Sequence, residues 1–226
     1  VLVSHLHKFI YTKTMKTAGT SVEAYFERFC MADPDQQVTE LREEAVSAAG
    51  IIGARSLRAN GKNYEWWNHM PAMQIRQKLG PQMFDSYFKF CCVRNPFDKT
   101  LSAYFWYDDL RQIDLPRTMP EAERFQTWLE EKGPPLDRNK YCIAGRYVMD
   151  DVVRHESLPA DMERICGKLG VAWEPERLPK FKVGVRPEGR TFDEMYTPRA
   201  RALVREKYAF ELELFGYDFP AETVPA

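Results

Sequence analysis

The sequence contains no Cys-x-x-Cys pair, no apolar run near the ~20 residues that a membrane-spanning helix needs, and no excess charge of either sign. Each absence removes a class of function. The five cysteines, Cys30, Cys91, Cys92, Cys142 and Cys166, are odd in number and scattered. They do not read as a zinc ribbon, a redox pair or a disulfide framework, and suit reduced thiols in a cytoplasmic protein. Cys91-Cys92 sits in an apolar run and reads as core filling. With 32 basic and 33 acidic side chains the formal charge is −1. That balance argues against broad, sequence-independent nucleic-acid binding, while leaving room for a local basic pocket. No internal repeat or low-complexity tract is present, and the opening "VLVSHLHKFIY" lacks the basic-then-apolar layout of a secretory signal. With 226 residues, 44% of them hydrophobic, the chain can bury one sizeable core, so a single domain over 1–226 is expected.

What is present is an alternation of β-like and helical segments. "KFIYTK" (8–13) reads as a strand, followed by a helix from Thr20 or Ser21 to about Cys30 with Val22, Tyr25, Phe26 and Phe29 on one face. Residues 38–49 read as weakly helical and "IIGAR" as a short strand. A helix is predicted over 71–79, stopped by Gly80-Pro81. "SYFKFCCV" (86–93) is almost continuously apolar, as in a strand covered on both faces. Helices are predicted over 96–110, 120–132, 158–170 and 197–208, with a strand near 148–155. The pattern implies an α/β fold with a mainly parallel sheet flanked by helices. Residues 33–65 and 111–146 read as insertions facing a substrate.

Two strand–loop–helix passages carry chemistry. In "YTKTMKTAGTSVEAYF" (11–26) a β-like run breaks at Lys16-Thr17-Ala18-Gly19-Thr20-Ser21 and turns helical. A loop entering a helix aims unpaired backbone N–H groups and the positive end of the helix dipole at one spot. Gly19 is expected to let the backbone approach an anion, Lys16 to add a mobile charge, and Thr17, Thr20 and Ser21 to add hydroxyl donors. The first glycine and the Gly-Lys pair of a Walker loop are missing. In "FKFCCVRNPFDKTLSAYFWY" Arg94 stands at the carboxyl end of a strand, where ligands bind in open parallel sheets. Ser102 follows eight residues later, roughly two helical turns on. The guanidinium fork suits phosphate oxygens. The first passage alone is also compatible with a surface turn capped by Thr or Ser, and the second with an Arg94 paired to Asp98 or Asp85 beside an incidental helical serine.

Together, "KTMKTAGTS" and "VRNPFDKTLSAY" resemble the two signature motifs of sulfotransferases that use 3′-phosphoadenosine 5′-phosphosulfate (PAPS). The first is similar to their 5′-phosphosulfate loop and the second to their 3′-phosphate motif, Arg-Asn-Pro with a later Ser-x-Tyr. The likeness is nearest to the Golgi-type carbohydrate sulfotransferases and their bacterial relatives. "VVRHESLPADMERICGKLG" and "YAFELELFGY" are weaker echoes. The resemblance implies a P-loop-like three-layer fold. It implies PAPS as donor, adenosine 3′,5′-bisphosphate as product, no required metal, and a small-molecule or carbohydrate acceptor, with neither nucleic acid nor membrane as partner. It assigns Lys16 to the charge developing on the leaving oxygen, the backbone of 17–21 to the 5′-phosphate, and Arg94 with Ser102 to the 3′-phosphate.

An acceptor hydroxyl needs a general base. His69, in "WWNHMPAMQIRQKLG", holds the place of the catalytic histidine in the resembling enzymes, and its ordinary pKa near neutrality suits the task. Packing beside Trp66 and Trp67 is the plainer alternative, and Glu65 and Glu23 are reserve bases. His5, His7 and His155 read as surface or structural. "VGVRPEGRTFDEMY" (183–196) is a candidate clamp over the cofactor through Arg186 and Arg190, or else a solvated loop. Trp66, Trp67, Trp106 and Tyr107 can stack on an acceptor or simply pack. A P-loop nucleotide kinase or NTPase, and a binding module without turnover, remain the rival readings.

Overall fold

The computed structural model describes residues 1–31, 38–55, 63–181 and 191–220. The chain divides into two compact units, Val1–Val93 with Asp137–Phe181, and Arg94–Leu136 with Lys182–Ala226.

The first unit is built on a sheet. Among the described residues its six strands are β1 (Leu2–Ser4), β2 (Phe9–Thr12), β3 (Ala45–Val46), β4 (Gly50–Ile52), β5 (Phe88–Val93) and β8 (Asp151–Arg154), in the order β3-β4-β1-β2-β5-β8. β2, β5 and β8 are parallel neighbours, with Thr12 opposite Cys91 and Val93 opposite Arg154. β1 pairs antiparallel with both β2 and β4, and β3 with β4. Four of the six strands therefore run the same way, and the α/β reading holds. The antiparallel part has a simple cause: four residues, His5 to Lys8, join β1 to β2, too few for the crossover that a parallel pair requires.

One face of this sheet carries the core. Phe9, Tyr11, Phe90, Cys92 and Val153 pack with Val22, Tyr25 and Phe26 of α1 (Gly19–Glu27) and Met162, Ile165 and Cys166 of α7 (Leu158–Leu169). The 3.6-residue spacing read from the sequence for α1 thus lands on the strands, and its last turn tightens to a 3₁₀ segment at Arg28–Cys30. All five cysteines are buried thiols and none forms a disulfide. Also in this unit are α2 (Ala72–Leu79), α3 (Pro81–Ser86), α6 (Arg138–Tyr141) and the small hairpin of β6 (Cys142–Ile143) and β7 (Arg146–Tyr147).

Two expectations are corrected. Residues 38–49 contain no helix among those described; Ala45–Val46 is a strand instead, since its pairing with β4 is a non-local contact that local periodicity does not register. Gly80-Pro81 ends α2 but also opens α3, because proline suits a first helical turn. The strand expected at "IIGAR" is found one residue earlier, as β4, and joins the sheet. Gly50 is required there: a Cβ would stand 2.2 Å from the Val3 carbonyl oxygen.

The second unit is helical: α4 (Pro96–Asp109), α5 (Glu121–Lys132), α8 (Phe192–Met195), α9 (Pro198–Lys207) and α10 (Ala209–Phe215). Phe97, Leu101, Tyr104, Phe125, Trp128, Tyr196, Val204 and Tyr208 form its core. Asn95 caps α4, its side chain accepting the Phe97 N–H at 3.0 Å, with Pro96 at the first turn as the sequence predicts.

Candidate active site around the Thr14–Ser21 loop

The loop between β2 and α1 is held in a conformation that ordinary residues avoid. Lys16 (φ 58°) and Ala18 (φ 59°) are both left-handed, a geometry costing roughly 1–2 kcal/mol per residue. Six non-glycine residues among those described have positive φ, and His69 (φ 61°) is another of them. Three of the six thus lie in this one place, and strain so gathered marks sites where function over-rides local preference.

Several bonds hold the loop. The Thr14 hydroxyl donates to the Cys92 carbonyl at 2.6 Å, on the neighbouring strand, and meets the Thr17 hydroxyl at 2.8 Å. The Tyr11 hydroxyl donates to the Gly19 carbonyl at 3.1 Å. The Met15 N–H donates to Asp137 Oδ2 at 2.8 Å. Gly19 is also constrained by packing. A Cβ there would press on the Thr14 carbonyl oxygen, the Tyr11 hydroxyl and the Lys13 stem at 3.1 to 3.3 Å. Its smallness seats the loop against its own strand.

The start of α1 suits an anion nonetheless. Ala18 caps it without any side-chain hydrogen bond, and no acidic residue lies in the first turn. Ser21 and Val22 return their N–H groups to the Ala18 carbonyl, which leaves the N–H groups of Gly19 and Thr20 without an acceptor inside the helix. Thr17 and Ser21 are buried, while Lys16, Ala18 and Thr20 are partly exposed. The Ser21 oxygen accepts the Phe181 N–H at 3.3 Å, which leaves its own hydrogen to donate elsewhere.

The two lysines of "KTMK" have separate tasks. Lys13 is buried and pairs with Glu23 Oε2 at 2.8 Å. Glu23 is also 3.3 Å from Arg55, and Arg55 is 2.8 Å from Glu27, which pairs in turn with Arg42. Burial opposes the Glu23 charge, but neighbouring cations, Lys13 and Arg55 among them, outweigh it and bring its pKa down to about 2. Glu23, a reserve base in the sequence reading, is therefore an ionised strut beneath the loop. Glu65 is exposed and paired with Lys78 at 3.1 Å. Lys16 is the lysine of this loop that lies partly exposed.

His69 lies against the same loop. Its Nδ1 lies 3.1 Å from the Lys13 carbonyl, at the root of the loop. A carbonyl only accepts, so Nδ1 carries the proton and Nε2 presents a lone pair. Burial first, then the Lys13 charge, lowers its pKa to about 4 against the opposing pull of Asp137 and Glu23. The ring is therefore neutral throughout the physiological range. Trp66 is buried beside this segment, and its backbone N–H donates to Glu44 Oε2 at 2.7 Å.

The structure thus brings His69, Lys13, Glu23 and the 14–21 loop together in the first unit. Arg94 and Ser102 belong to the second unit, before and within α4. Arg94 Nε donates to Asp98 at 2.6 Å, the ordinary partner that the sequence offered. Arg186 and Arg190 lie outside the described residues. Asp137, Arg55 and Thr14 are missed by sequence reading. Only the Asp-Arg-Asn-Lys opening of a short helix hints at the first, and its contact spans 122 residues.

A family model described as "Sulfotransferase family" matches residues 1–218. The chain is similar to an uncharacterized protein of Archaeoglobus fulgidus, with 28% identity over 117 residues, covering 48% of this chain and 87% of that protein. No solved structure matches it.

Proposed function

We propose, from the premise that this chain belongs to the sulfotransferase family, that it moves a sulfuryl group from PAPS to an acceptor hydroxyl, of a carbohydrate or another small molecule. Transfer of sulfate is the property of the family; the donor, the acceptor and the residue roles are our reading.

The observation that carries it is the bond from His69 Nδ1 to the Lys13 carbonyl. It joins a neutral imidazole with a defined tautomer to the loop that resembles a phosphosulfate cradle. PAPS supplies an SO₃ group on a bridging phosphate oxygen. His69 Nε2 takes the acceptor proton as the new S–O bond forms. The Lys16 ammonium meets the negative charge left on the bridging oxygen as the old S–O bond breaks, and adenosine 3′,5′-bisphosphate departs. The N–H groups at the start of α1 hold the 5′-phosphate, and Arg94 with Ser102 holds the 3′-phosphate. Alignment and charge stabilisation carry the rate, as in phosphoryl transfer. The acceptor is assigned no further, because the aromatic residues suggested for stacking divide between the two units and are partly or wholly packed.

The test is transfer of label from ³⁵S-PAPS to a panel of hydroxyl and amine acceptors. Labelled product, lost on Lys16→Ala, supports the reading. Magnesium-dependent turnover of ATP or GTP would favour a kinase or NTPase instead, and binding of the bisphosphate without transfer to any acceptor would favour a module without turnover.

A further inference from the structure

We propose that Asp137 is a positioning residue for sulfuryl transfer, holding through the Met15 amide the strained turn that presents Lys16. The inference rests on the role given to Lys16 above.

Asp137 is fully buried. It stands at the N-cap of α6, where an aspartate ordinarily accepts an N–H of its own helix. It makes no such cap bond. Its Oδ2 instead reaches Met15, 122 residues earlier, at 2.8 Å. A charge-assisted bond to a backbone N–H is among the stronger hydrogen bonds, and the cap it forgoes is itself stabilising. The recipient amide directly precedes Lys16, whose left-handed backbone relaxes unless both sides are held. Thr17, on the far side of Lys16, meets the Thr14 hydroxyl, which is itself fixed to β5 through the Cys92 carbonyl. Asp137 supplies the second fixed point, and is itself rooted by the Lys140 N–H on its carbonyl at 2.7 Å.

The same carboxylate acts on the base. Of the charged side chains around His69, Lys13 disfavours imidazolium, and Asp137 and Glu23 favour it. Glu23 is engaged by Lys13 and Arg55. Removing the Asp137 charge therefore lowers the His69 pKa further.

The experiment compares wild type, Asp137→Ala and Asp137→Asn by three readouts: exchange of the Met15 amide in the ligand-free protein, kcat against acceptor KM, and the pH profile of kcat/KM. Asp137→Ala is expected to expose the Met15 amide and to lower kcat roughly 100-fold, the scale of an ångström's misplacement, with little change in acceptor KM. Asp137→Asn keeps an acceptor oxygen. It is expected to keep Met15 protected and most of kcat, while the acid limb of kcat/KM moves to lower pH. Unchanged Met15 exchange in Asp137→Ala, or turnover within threefold of wild type, would overturn the proposal. Should Asp137→Ala not fold, Asp137→Asn decides: an exposed Met15 amide or an unmoved acid limb overturns it. If wild type transfers no sulfuryl group while Asp137→Ala still exposes Met15, the function falls and the anchor stands.

Discussion

At the scale of single residues, the site works by dividing charge among groups that sequence alone leaves equivalent. Lys13 and Lys16 are three positions apart, yet one is a buried strut and the other a partly exposed ammonium. His69 is distinguished from the other histidines by a carbonyl that fixes its tautomer. His69→Ala should lower kcat by roughly 10²–10⁴-fold, the usual worth of a general base, as measured in the labelled-PAPS assay. The acid limb of kcat/KM should fall near pH 4 rather than 6.5, because only below about 4 does the folded imidazole protonate. Stability follows the same linkage. Between about 6.5 and 4 the unfolded chain binds the proton that the folded chain refuses, so stability is lost as pH falls through that window. His69→Gln should flatten this part of a stability-against-pH curve obtained by urea unfolding. Arg55 answers to both Glu23 and Glu27 while fully buried. Arg55→Met should cost about 3–5 kcal/mol, because two carboxylates keep their burial and lose their shared partner; a loss under 1 kcal/mol would show that the cluster readily rehydrates.

At the scale of elements, the strained loop depends on the strands beneath it. β1 and β4 are three residues each, too short to show a two-residue period, and their place is set by pairing. Gly50 is the tightest point of that pairing. Gly50→Ala would drive a methyl group into backbone on the next strand, and backbone has no rotamer with which to yield. A cost of about 1–3 kcal/mol is expected, read as a fall of several degrees in Tm with little change in the product distribution. α1 shows the converse. Its amphipathic spacing is local, so sequence reading finds it to within a residue or two, and only the tertiary setting shows that its first turn lacks a side-chain cap.

At the scale of the whole molecule, the proposed donor carries phosphate at both ends, and the two motifs that resemble the family's signatures fall in different structural units. Adenosine 3′,5′-bisphosphate should therefore raise Tm more than AMP at equal concentration, since each tenfold of affinity for the native state adds about 1.4 kcal/mol under excess ligand. Arg94→Ala should erase most of that difference. Equal shifts for the two nucleotides in the wild type would count against Arg94 as a 3′-phosphate ligand. The α/β class, the strand–loop–helix passage at 9–27 and the strand–Arg–helix passage at 88–109 were all legible in the sequence. Each depends on a run of neighbours: an apolar strand, a breaking turn, a capped helix. Composition, likewise, was enough to set aside broad nucleic-acid binding as the expectation. What only the tertiary structure decided were the antiparallel strands, the structural use of Gly19, the buried task of Lys13, and the meeting of His69 and Asp137 with the loop. Those depend on groups 56 and 122 residues apart in the chain coming within hydrogen-bond distance. No local pattern encodes such a contact, because its energy exists only once the intervening chain has folded.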